Sequence, residues 1–346
     1  MRTRASTSYE ETMRVLMLDQ SWERIRDTLM KQAPALEPVL MHADGSLSLH
    51  GEPISPEEAA PAAAWANTDL FFDGPVRDFM VMCLKSTSLR WIQSSAAGFD
   101  HPVFSMLVDK GIQLSNSNAS AISIAEFVLS GVLDVFQPNA HRRQLQAARD
   151  WQRTHFREVQ GTTWLVIGMG NIGSELARRV RALGAIVIGV RRRPRGDEPA
   201  DRMASLATLL DVVGEADVVA LCAPANPESH HIVDEDFLSR MKPQSVLVNI
   251  ARGALIDEAA LLDSLDRGIP ETALLDVFEK EPLPDDSPLW NHPRVRVTAH
   301  NASNSDGFIR RNDELFIRNA ARFCNGESPE RLVEPDVVKE SIPGNQ

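Results

Sequence analysis

A glycine-rich turn is the clearest chemical signal in the sequence. It consists of Gly168, Met169, Gly170, Asn171, Ile172 and Gly173, in the spacing GxGxxG. The run Trp164–Ile167 before it reads as a buried strand, and Ser174–Leu183 after it as an amphipathic helix. Such glycines permit a tight turn and let the backbone approach a pyrophosphate, whose charge the helix N-terminus stabilises. With both flanks present, the turn predicts a dinucleotide site rather than a plain strand-to-helix connection.

The residues after the next predicted strand bear on which dinucleotide would bind. A carboxylate is expected about 20 residues after the glycine turn, where it would accept hydrogen bonds from the adenosine ribose. The strand Ile186–Val190 is followed instead by Arg191–Arg195, a run that holds four arginines. Guanidinium groups pair with phosphate through charge-assisted, often bidentate hydrogen bonds, so Arg191 and Arg192 favour NADP over NAD. The alternative is a solvated basic loop.

Four further segments place polar side chains directly after apolar runs, where open α/β sheets carry their sites. They are Ser94–Asp100, Val248–Gly253, Leu275–Pro282 and Val297–Asn301. In order and approximate spacing, these segments and the glycine turn resemble the D-isomer-specific 2-hydroxyacid dehydrogenases. That group includes glyoxylate/hydroxypyruvate reductases, phosphoglycerate dehydrogenase and formate dehydrogenase. The resemblance extends from about Trp91 to Phe323 and is strongest from Gly161 to His300.

The resemblance implies a catalytic set, and reduction of a 2-oxo acid requires a proton donor, a cation and a hydride source. His300 resembles the family's general acid/base, a role that suits imidazole. Glu281 resembles its carboxylate partner, which would orient the ring and favour the imidazolium. Arg252 resembles the arginine that holds the substrate carboxylate and carbonyl with its planar fork. Backbone amides of Ala97 and Gly98 would complete the carboxylate cradle.

The cofactor contacts follow from the same resemblance, in which Asp276 resembles the residue that meets the nicotinamide carboxamide. The residues expected to contact the dinucleotide are Gly168, Gly170, Asn171, Ile172, Gly173, Arg191, Arg192, Ala223, Pro224, Ile250 and Asp276. Singly, these side chains also have structural explanations: a satisfied histidine, a surface ion pair between Arg252 and Glu281, or a turn residue at Asp276. The ordered set beside a nucleotide loop favours the functional interpretation for Arg252, Glu281 and His300. No metal site is expected.

Some positions depart from the family pattern. Ala299 stands where proline usually precedes the catalytic histidine, and Asn116–Ala119 stand where the family often has a Pro-Gly turn. The loop geometry near the substrate is therefore left open. The formate branch carries glutamine at the position of Glu281, which argues against formate as the substrate.

The implied activity is hydride transfer between NAD(P)H and a small 2-oxo acid or D-2-hydroxy acid, most simply the reduction of glyoxylate or hydroxypyruvate. Two alternatives stay open. The substrate could be a larger branched or aromatic 2-oxo acid, because its pocket depends on loops near Asn67, Ala97 and Trp290. The chain could also be a corepressor-like protein that senses dinucleotide and binds peptide motifs, since such proteins can retain the catalytic set.

The elements that must carry these residues follow from apolar runs that alternate with helical patterns, as in βαβ units with parallel sheets. In the first part, strands are expected at Arg14–Leu18, Asp69–Phe72, Arg90–Gln93 and Gln113–Ser115. Helices are expected at Trp22–Lys31, Glu57–Trp65, Val76–Cys83, Val103–Lys110, Ser120–Phe136 and Ser305–Cys324. In the second part, strands are expected at Thr163–Ile167, Ile186–Val190, Val218–Leu221, Ser245–Asn249, Glu271–Leu275 and Val295–Val297.

The predicted fold class is α/β, with two doubly wound parallel-sheet domains. A Rossmann dinucleotide domain, residues 123–300, is expected to be inserted into a flavodoxin-like substrate domain, residues 1–122 and 301–346. The tail helix lacks a partner in the nucleotide unit and should return to the first domain. The cleft between the domains is the expected location of the site.

Composition narrows the class of protein. The chain has 346 residues, of which 43% are hydrophobic and 24% charged, as in soluble globular proteins of about two domains. Its net charge of −12 disfavours nucleic acid and membrane surfaces as partners. Cys83, Cys222 and Cys324 form no CxxC pair and suit a reduced, cytoplasmic compartment. No apolar run approaches the roughly 18 residues needed to span a bilayer.

The helix Ser120–Phe136 and the Arg-rich segment through Trp151 predict a homodimer. An apolar helix longer than its own domain needs a second surface, and members of the resembled family commonly pair through this region. The alternative is a helix that spans the two domains of one chain.

Overall fold

The computed structural model describes residues 13–96, 98–99 and 101–340. It divides the chain into two units, which are residues 1–119 with 306–346 (unit 1) and residues 120–305 (unit 2). The predicted Ala97 amide lies outside the described residues.

Each unit is built around a seven-stranded sheet. The strands of unit 1 are β1 (Met13–Leu18), β2 (Leu36–Met41), β3 (Leu47–Leu49), β4 (Glu52–Ile54), β5 (Ala63–Ala66), β6 (Trp91–Ser94) and β7 (Gln113–Ser115). Those of unit 2 are β8 (Thr163–Ile167), β9 (Ile186–Val190), β10 (Arg202–Ala204), β11 (Val218–Leu221), β12 (Val246–Asn249), β13 (Thr272–Leu275) and β14 (Val295–Val297).

The helices lie between these strands and after the last one. They are α1 (Asp19–Gln32), α2 (Pro56–Ala59), α3 (Thr68–Asp73), α4 (Val76–Lys85), α5 (Pro102–Asp109), α6 (Ser120–Phe136), α7 (Asn139–Ala148), α8 (Asn171–Ala182), α9 (Leu209–Val212), α10 (Glu235–Ser239), α11 (Glu258–Asp266), α12 (Asp306–Cys324) and α13 (Pro335–Glu340). In the part of the chain that the structure describes, no single helix is long and apolar enough to cross a membrane. Among the described helices, α6 and α7 pass that test together as a pair bent by 55°.

The sheet of unit 1 has the order β4-β3-β2-β1-β5-β6-β7. Strands β2, β1, β5, β6 and β7 are mutually parallel, in the flavodoxin-like order in which the second strand lies outside the first. Strands β3 and β4 add antiparallel to this core at the β2 edge. The predicted α/β fold class is confirmed, but this sheet is mixed rather than wholly parallel.

Two predicted elements in unit 1 are wrong. The apolar run Asp69–Phe72, expected as a strand, is helix α3, because the Asn67 side chain caps it by accepting the Leu70 N–H at 3.2 Å. The expected helix Glu57–Trp65 is divided. It stops after α2, at left-handed Ala60 with Pro61 next in sequence, and the chain continues as strand β5.

The tail helix α12 belongs to unit 1 and completes its core. Phe316 stacks on Trp65 with ring centroids 4.1 Å apart, and both rings are fully buried. On the same helix, Asp313 Oδ2 accepts a hydrogen bond from Arg24 Nε of α1 at 2.6 Å. Residues almost 300 positions apart in sequence therefore hold the returning tail in place.

The sheet of unit 2 has the order β10-β9-β8-β11-β12-β13-β14, and all of its pairings are parallel. The order reverses between β8 and β11, the switch point of a Rossmann fold. Neighbouring residues along each strand enter separate cores. Leu165 and Ile167 pack into one, and Trp164 and Val166 into the other. Since both faces are covered, the polar residues that follow the strands are gathered at one edge.

Candidate active site

The predicted site residues of unit 2 follow the carboxyl ends of six parallel strands. Gly168 follows β8, Arg191 follows β9, Ala223 and Pro224 follow β11, Ile250 and Arg252 follow β12, Asp276 and Glu281 follow β13, and His300 follows β14. Parallel strands end at the same edge of a sheet, so the fold brings these segments to a common edge. Gly98 follows β6 in unit 1, where it is half-buried.

The glycine turn is shaped by close backbone approaches. Gly168 has φ +104°, and a Cβ there would collide with the backbone of Cys222 and Ala223 after β11. A Cβ at Gly173 would collide with the Gly168 carbonyl oxygen. A Cβ at Gly170, by contrast, would meet nothing within 4 Å. Gly168 thus lets the segment after β11 approach the turn, Gly173 lets the turn close on itself, and Gly170 borders open space.

This open space suits a dinucleotide pyrophosphate. It borders the N-terminus of α8, which begins at Asn171 and runs for 12 residues. Exposed Asn171 and half-buried Ile172 start that helix, where backbone N–H groups have no intrahelical acceptor. Pro224 is exposed and Ala223 half-buried across the switch point, whereas the Ile250 side chain is buried in a core. The donors and the space fit the bound group that the sequence predicts.

His300 and Glu281 form the expected pair. His300 Nδ1 lies 2.8 Å from Glu281 Oε2, and Glu281 Oε1 accepts the Phe278 N–H at 3.0 Å. The carboxylate is therefore held on one side and orients the ring on the other. Within the described residues Nε2 of His300 makes no hydrogen bond, and the side chain is 52% exposed. An exposed imidazole with one ring nitrogen held by a carboxylate is the arrangement that proton transfer to a ligand needs.

Asp276 organises the segment that carries His300. Its side chain is buried, and its Oδ1 accepts hydrogen bonds from Thr298 Oγ1 at 2.6 Å and from the Asn301 N–H at 3.0 Å. Its Oδ2 accepts the Ala302 N–H at 2.9 Å, and its backbone oxygen accepts the His300 N–H at 2.7 Å. These four bonds hold residues on both sides of His300, whose own φ is +49°.

Arg252 is positioned by its backbone. Fully buried Asn249, the last residue of β12, donates from Nδ2 to the Arg252 carbonyl at 2.9 Å and accepts the Ala251 N–H at 3.1 Å. A Cβ at Gly253 would collide with the backbone of Phe278. The loop that bears the arginine is thus packed directly against the segment that fixes Glu281.

The arginine run after β9 has internal partners. Arg191 Nη1 donates to the Met169 carbonyl at 3.0 Å and lies 3.5 Å from Glu198 Oε1. Arg192 Nη1 lies 3.9 Å from Glu228 Oε2, and both of those side chains are more than half exposed. A carboxylate therefore does stand beside the run, although it comes seven residues after Arg191 and not at the strand end.

Some organising residues were not singled out from the sequence. Glu198 lies in a polar loop with no periodic pattern, so no sequence signal marked it. Thr298 and Asn249 lie inside segments that the motif comparison quoted, and their positions at or just after strand ends are the signal that could have identified them.

Comparison with known proteins is consistent with this geometry. The family model described as D-isomer specific 2-hydroxyacid dehydrogenase, NAD binding domain, matches residues 129–302. A glyoxylate reductase from Korarchaeum cryptofilum is 32% identical over 273 residues, covering 75% of this chain and 80% of the relative. A 4-methyl-2-oxopentanoate reductase A from Aspergillus oryzae is 34% identical over 242 residues, covering 68% of this chain and 71% of the relative.

A solved structure is similar over almost the whole chain. It is a D-isomer specific 2-hydroxyacid dehydrogenase from Xanthobacter autotrophicus Py2, crystallised in complex with NADPH and MES. It superposes with a TM-score of 0.75 at 26% sequence identity and covers 95% of this chain and 99% of its own.

Proposed function

Because this chain belongs to the D-isomer-specific 2-hydroxyacid dehydrogenase family, we propose that it reduces a small 2-oxo acid, glyoxylate or hydroxypyruvate, with NADPH as the preferred donor. The observation that carries the proposal is the His300–Glu281 pair at 2.8 Å, at the same sheet edge as a glycine turn open at Gly170. The glyoxylate reductase relative supports the substrate class.

Different residues of unit 2 are proposed to carry out different parts of the reaction. Bound NADPH supplies the hydride that reduces the carbonyl carbon. His300 Nε2 donates the proton that the carbonyl oxygen takes up, so the 2-oxo acid gains two hydrogens and becomes a 2-hydroxy acid. Glu281 holds the ring and stabilises the positive charge it carries before transfer. Arg252 binds the substrate carboxylate and polarises the carbonyl oxygen.

The remaining assignments support binding. Gly98, and Ala97 beside it in sequence, are proposed to donate backbone N–H groups to the substrate carboxylate from unit 1. Asp276 is proposed to meet the nicotinamide carboxamide. Unit 2 is proposed as the dinucleotide domain and unit 1 as the substrate domain. The three free cysteines suit a reducing, cytoplasmic location.

Initial rates over a substrate panel test this function. Full-length protein is assayed with glyoxylate, hydroxypyruvate, 4-methyl-2-oxopentanoate and phenylpyruvate, each with NADPH and NADH. We expect the highest kcat/KM for glyoxylate or hydroxypyruvate with NADPH. His300→Asn should lower kcat by about 10²- to 10⁴-fold while NADPH still binds, because only proton transfer is removed.

A second candidate substrate is a branched 2-oxo acid, favoured by the 34% identity to a 4-methyl-2-oxopentanoate reductase. Highest kcat/KM for 4-methyl-2-oxopentanoate in the same panel would select this candidate. Tight dinucleotide binding with no turnover of any 2-oxo acid would point to a sensing protein instead and contradict both enzymatic proposals.

We also propose that the protein is a homodimer that pairs through the region of α6, α7 and the segment after them. Trp151 in that segment is 98% exposed, and Phe156 is 53% exposed. Large apolar side chains in one short segment are typical of an interaction surface.

A further inference from the structure

Arg191 is the first residue after β9, the strand end that contacts the adenosine ribose in dinucleotide-binding folds, yet its guanidinium is turned inward. Its Nη1 donates to the Met169 carbonyl at 3.0 Å and lies 3.5 Å from Glu198 Oε1. Only a quarter of its side chain is exposed. The cation therefore joins the end of β9 to the middle of the glycine turn.

Glu198, the carboxylate beside Arg191, is itself held in place by its own loop. Its side chain is 2% exposed, and its two oxygens accept the Arg195 N–H at 2.7 Å and the Gly196 N–H at 2.9 Å. The Arg195 amide, aided by the Gly196 amide and the charge of Arg191, lowers the pKa of Glu198 against the opposing effect of burial. Glu198 is thus an ionised carboxylate at neutral pH, and its partners Arg191, Arg195 and Gly196 belong to the same loop after β9.

The contact with Met169 bears directly on the glycine turn. The N–H groups of Gly168 and Met169 both donate to the Val190 carbonyl, at 2.9 and 3.2 Å, while Arg191 holds the Met169 carbonyl. In a trans peptide the following N–H points opposite to the carbonyl. Arg191 therefore directs the Gly170 N–H away from β9, at the glycine that borders open space.

Arg192 is held differently. It lies 3.9 Å from Glu228, at the limit of an ion pair, and the two side chains are 52% and 60% exposed. Exposed ion pairs of this kind contribute little to stability. A phosphate dianion can accept charge-assisted hydrogen bonds from a guanidinium that is half exposed, as that of Arg192 is, whereas only a quarter of the Arg191 side chain is exposed beside Glu198 and the Met169 carbonyl.

We propose that Arg191 and Glu198 form a latch that positions the glycine turn for the pyrophosphate of either dinucleotide, and that discrimination by the 2′-phosphate is left to Arg192. Arg191 and Glu198 are then positioning residues. The inference rests on the proposed function only in taking a nicotinamide dinucleotide as the ligand.

Dissociation constants for NADPH and NADH, measured by fluorescence titration without substrate, test the latch. The variants are Arg191→Gln, Glu198→Gln, their double variant and Arg192→Gln. Arg178→Gln is the control, because Arg178 is a 56% exposed arginine of α8 that pairs with Glu175 of the same helix. It removes one positive charge, as Arg191→Gln and Arg192→Gln do, but from α8 and not from the loop after β9.

Arg191→Gln and Glu198→Gln should weaken the binding of NADPH and of NADH by the same factor. The ratio of the two dissociation constants should then stay within about twofold of its value in the unaltered protein. The double variant should bind the dinucleotides only slightly more weakly than either single variant, because both substitutions break the same contact. Arg192→Gln should reduce the preference for NADPH by about 10- to 100-fold, the loss of one charge-assisted hydrogen bond. A general loss of stability would lower the melting temperature of the variants without producing these opposite effects on the ratio.

The outcomes separate the inference from the proposed function. If the unaltered protein binds neither dinucleotide, the proposed function fails, and the latch fails with it. If dinucleotides bind but Arg191→Gln selectively weakens NADPH, or Arg192→Gln leaves the ratio unchanged, only the latch is overturned. An unaltered protein with equal affinity for NADPH and NADH would likewise overturn it.

Discussion

Both carboxylate oxygens of Asp276 are bonded to the segment that carries His300. The left-handed backbone of His300, with φ +49°, costs about 1–3 kcal/mol for a residue with a side chain and persists only when its surroundings determine it. The hydrogen bonds to Asp276 fix the backbone on both sides of His300, and these bonds do not involve the imidazole. Asp276 therefore fixes the backbone beside the proposed catalytic histidine, whereas Glu281 contacts its ring.

Asp276→Asn should lower kcat by at least about tenfold, because an amide nitrogen would face one of the N–H donors and the His300 segment would shift. Thr298→Val, which removes one of the same bonds, should cause a smaller loss of the same kind. Separate measurement of kcat and of KM for NADPH checks this. An increase in the KM for NADPH with unchanged kcat would show instead that the carboxamide contact is the main role of Asp276.

The glycine turn shows how strands and helices of a Rossmann unit determine which glycines are replaceable. Gly168 and Gly173 are required by close approach of β11 and of the turn itself, which are packing constraints. Gly170 has φ −83°, a value open to any residue, and no protein atom lies where its Cβ would be. Its lack of a side chain matters to a bound group and not to the fold.

Gly170→Ala should leave the free energy of unfolding unchanged or raise it by up to about 1 kcal/mol, since the unfolded chain loses freedom. It should weaken the binding of NADPH and of NADH by at least about tenfold, because a methyl group would occupy the position proposed for the pyrophosphate. Gly173→Ala is the matched variant and should lose both stability and binding. Urea unfolding and fluorescence titration measure the two effects. Normal NADPH affinity in Gly170→Ala would refute this use of the open space.

At the level of the whole molecule, the exposed apolar side chains of Trp151 and Phe156, which follow α7, lie away from the predicted site residues. Residues 154–158, residues 160–162 and Asp217 line an open pocket of about 650 Å³, and none of them is a predicted site residue. Thr162 and Asp217 directly precede β8 and β11, so this pocket lies at the amino ends of the strands. Phe156 lines it and Trp151 lies just before it in sequence.

Light scattering at micromolar concentration should give twice the chain mass of 38.3 kDa. Replacing both Trp151 and Phe156 with serine should shift the protein to the monomer mass, because each removes a large apolar contact from the proposed interface. Met106→Ser is the control, as Met106 is a 53% exposed apolar residue of α5 in unit 1. A monomer mass for the unaltered chain, or an unchanged mass in the double variant, would exclude this interface.

Much of unit 2 was predictable because its signals are local. The apolar runs of β8, β9 and β11 match their strands residue for residue, since strands buried on both faces are continuous apolar segments. The short edge strand β14 also has the predicted bounds. The family was predictable from motif order, and the match over residues 129–302 confirms it. Unit 1 was harder. Its run Asp69–Phe72 is too short for periodicity to distinguish helix from strand, and the Asn67 cap decided the outcome.

By itself the sequence determined the types of the reacting groups and the strand that each follows. Only the tertiary structure decided how they are held. The hydrogen bonds from Thr298, Asn301 and Ala302 to Asp276 join residues 22 to 26 positions apart. The guanidinium of Arg191 points to Glu198, whereas a run of charged residues suggests side chains that point to solvent. Such contacts depend on where two strand ends meet in space and on which oxygen or N–H is left without a backbone partner. No local pattern encodes that, because the same loop residues are solvated in one packing and bonded in another.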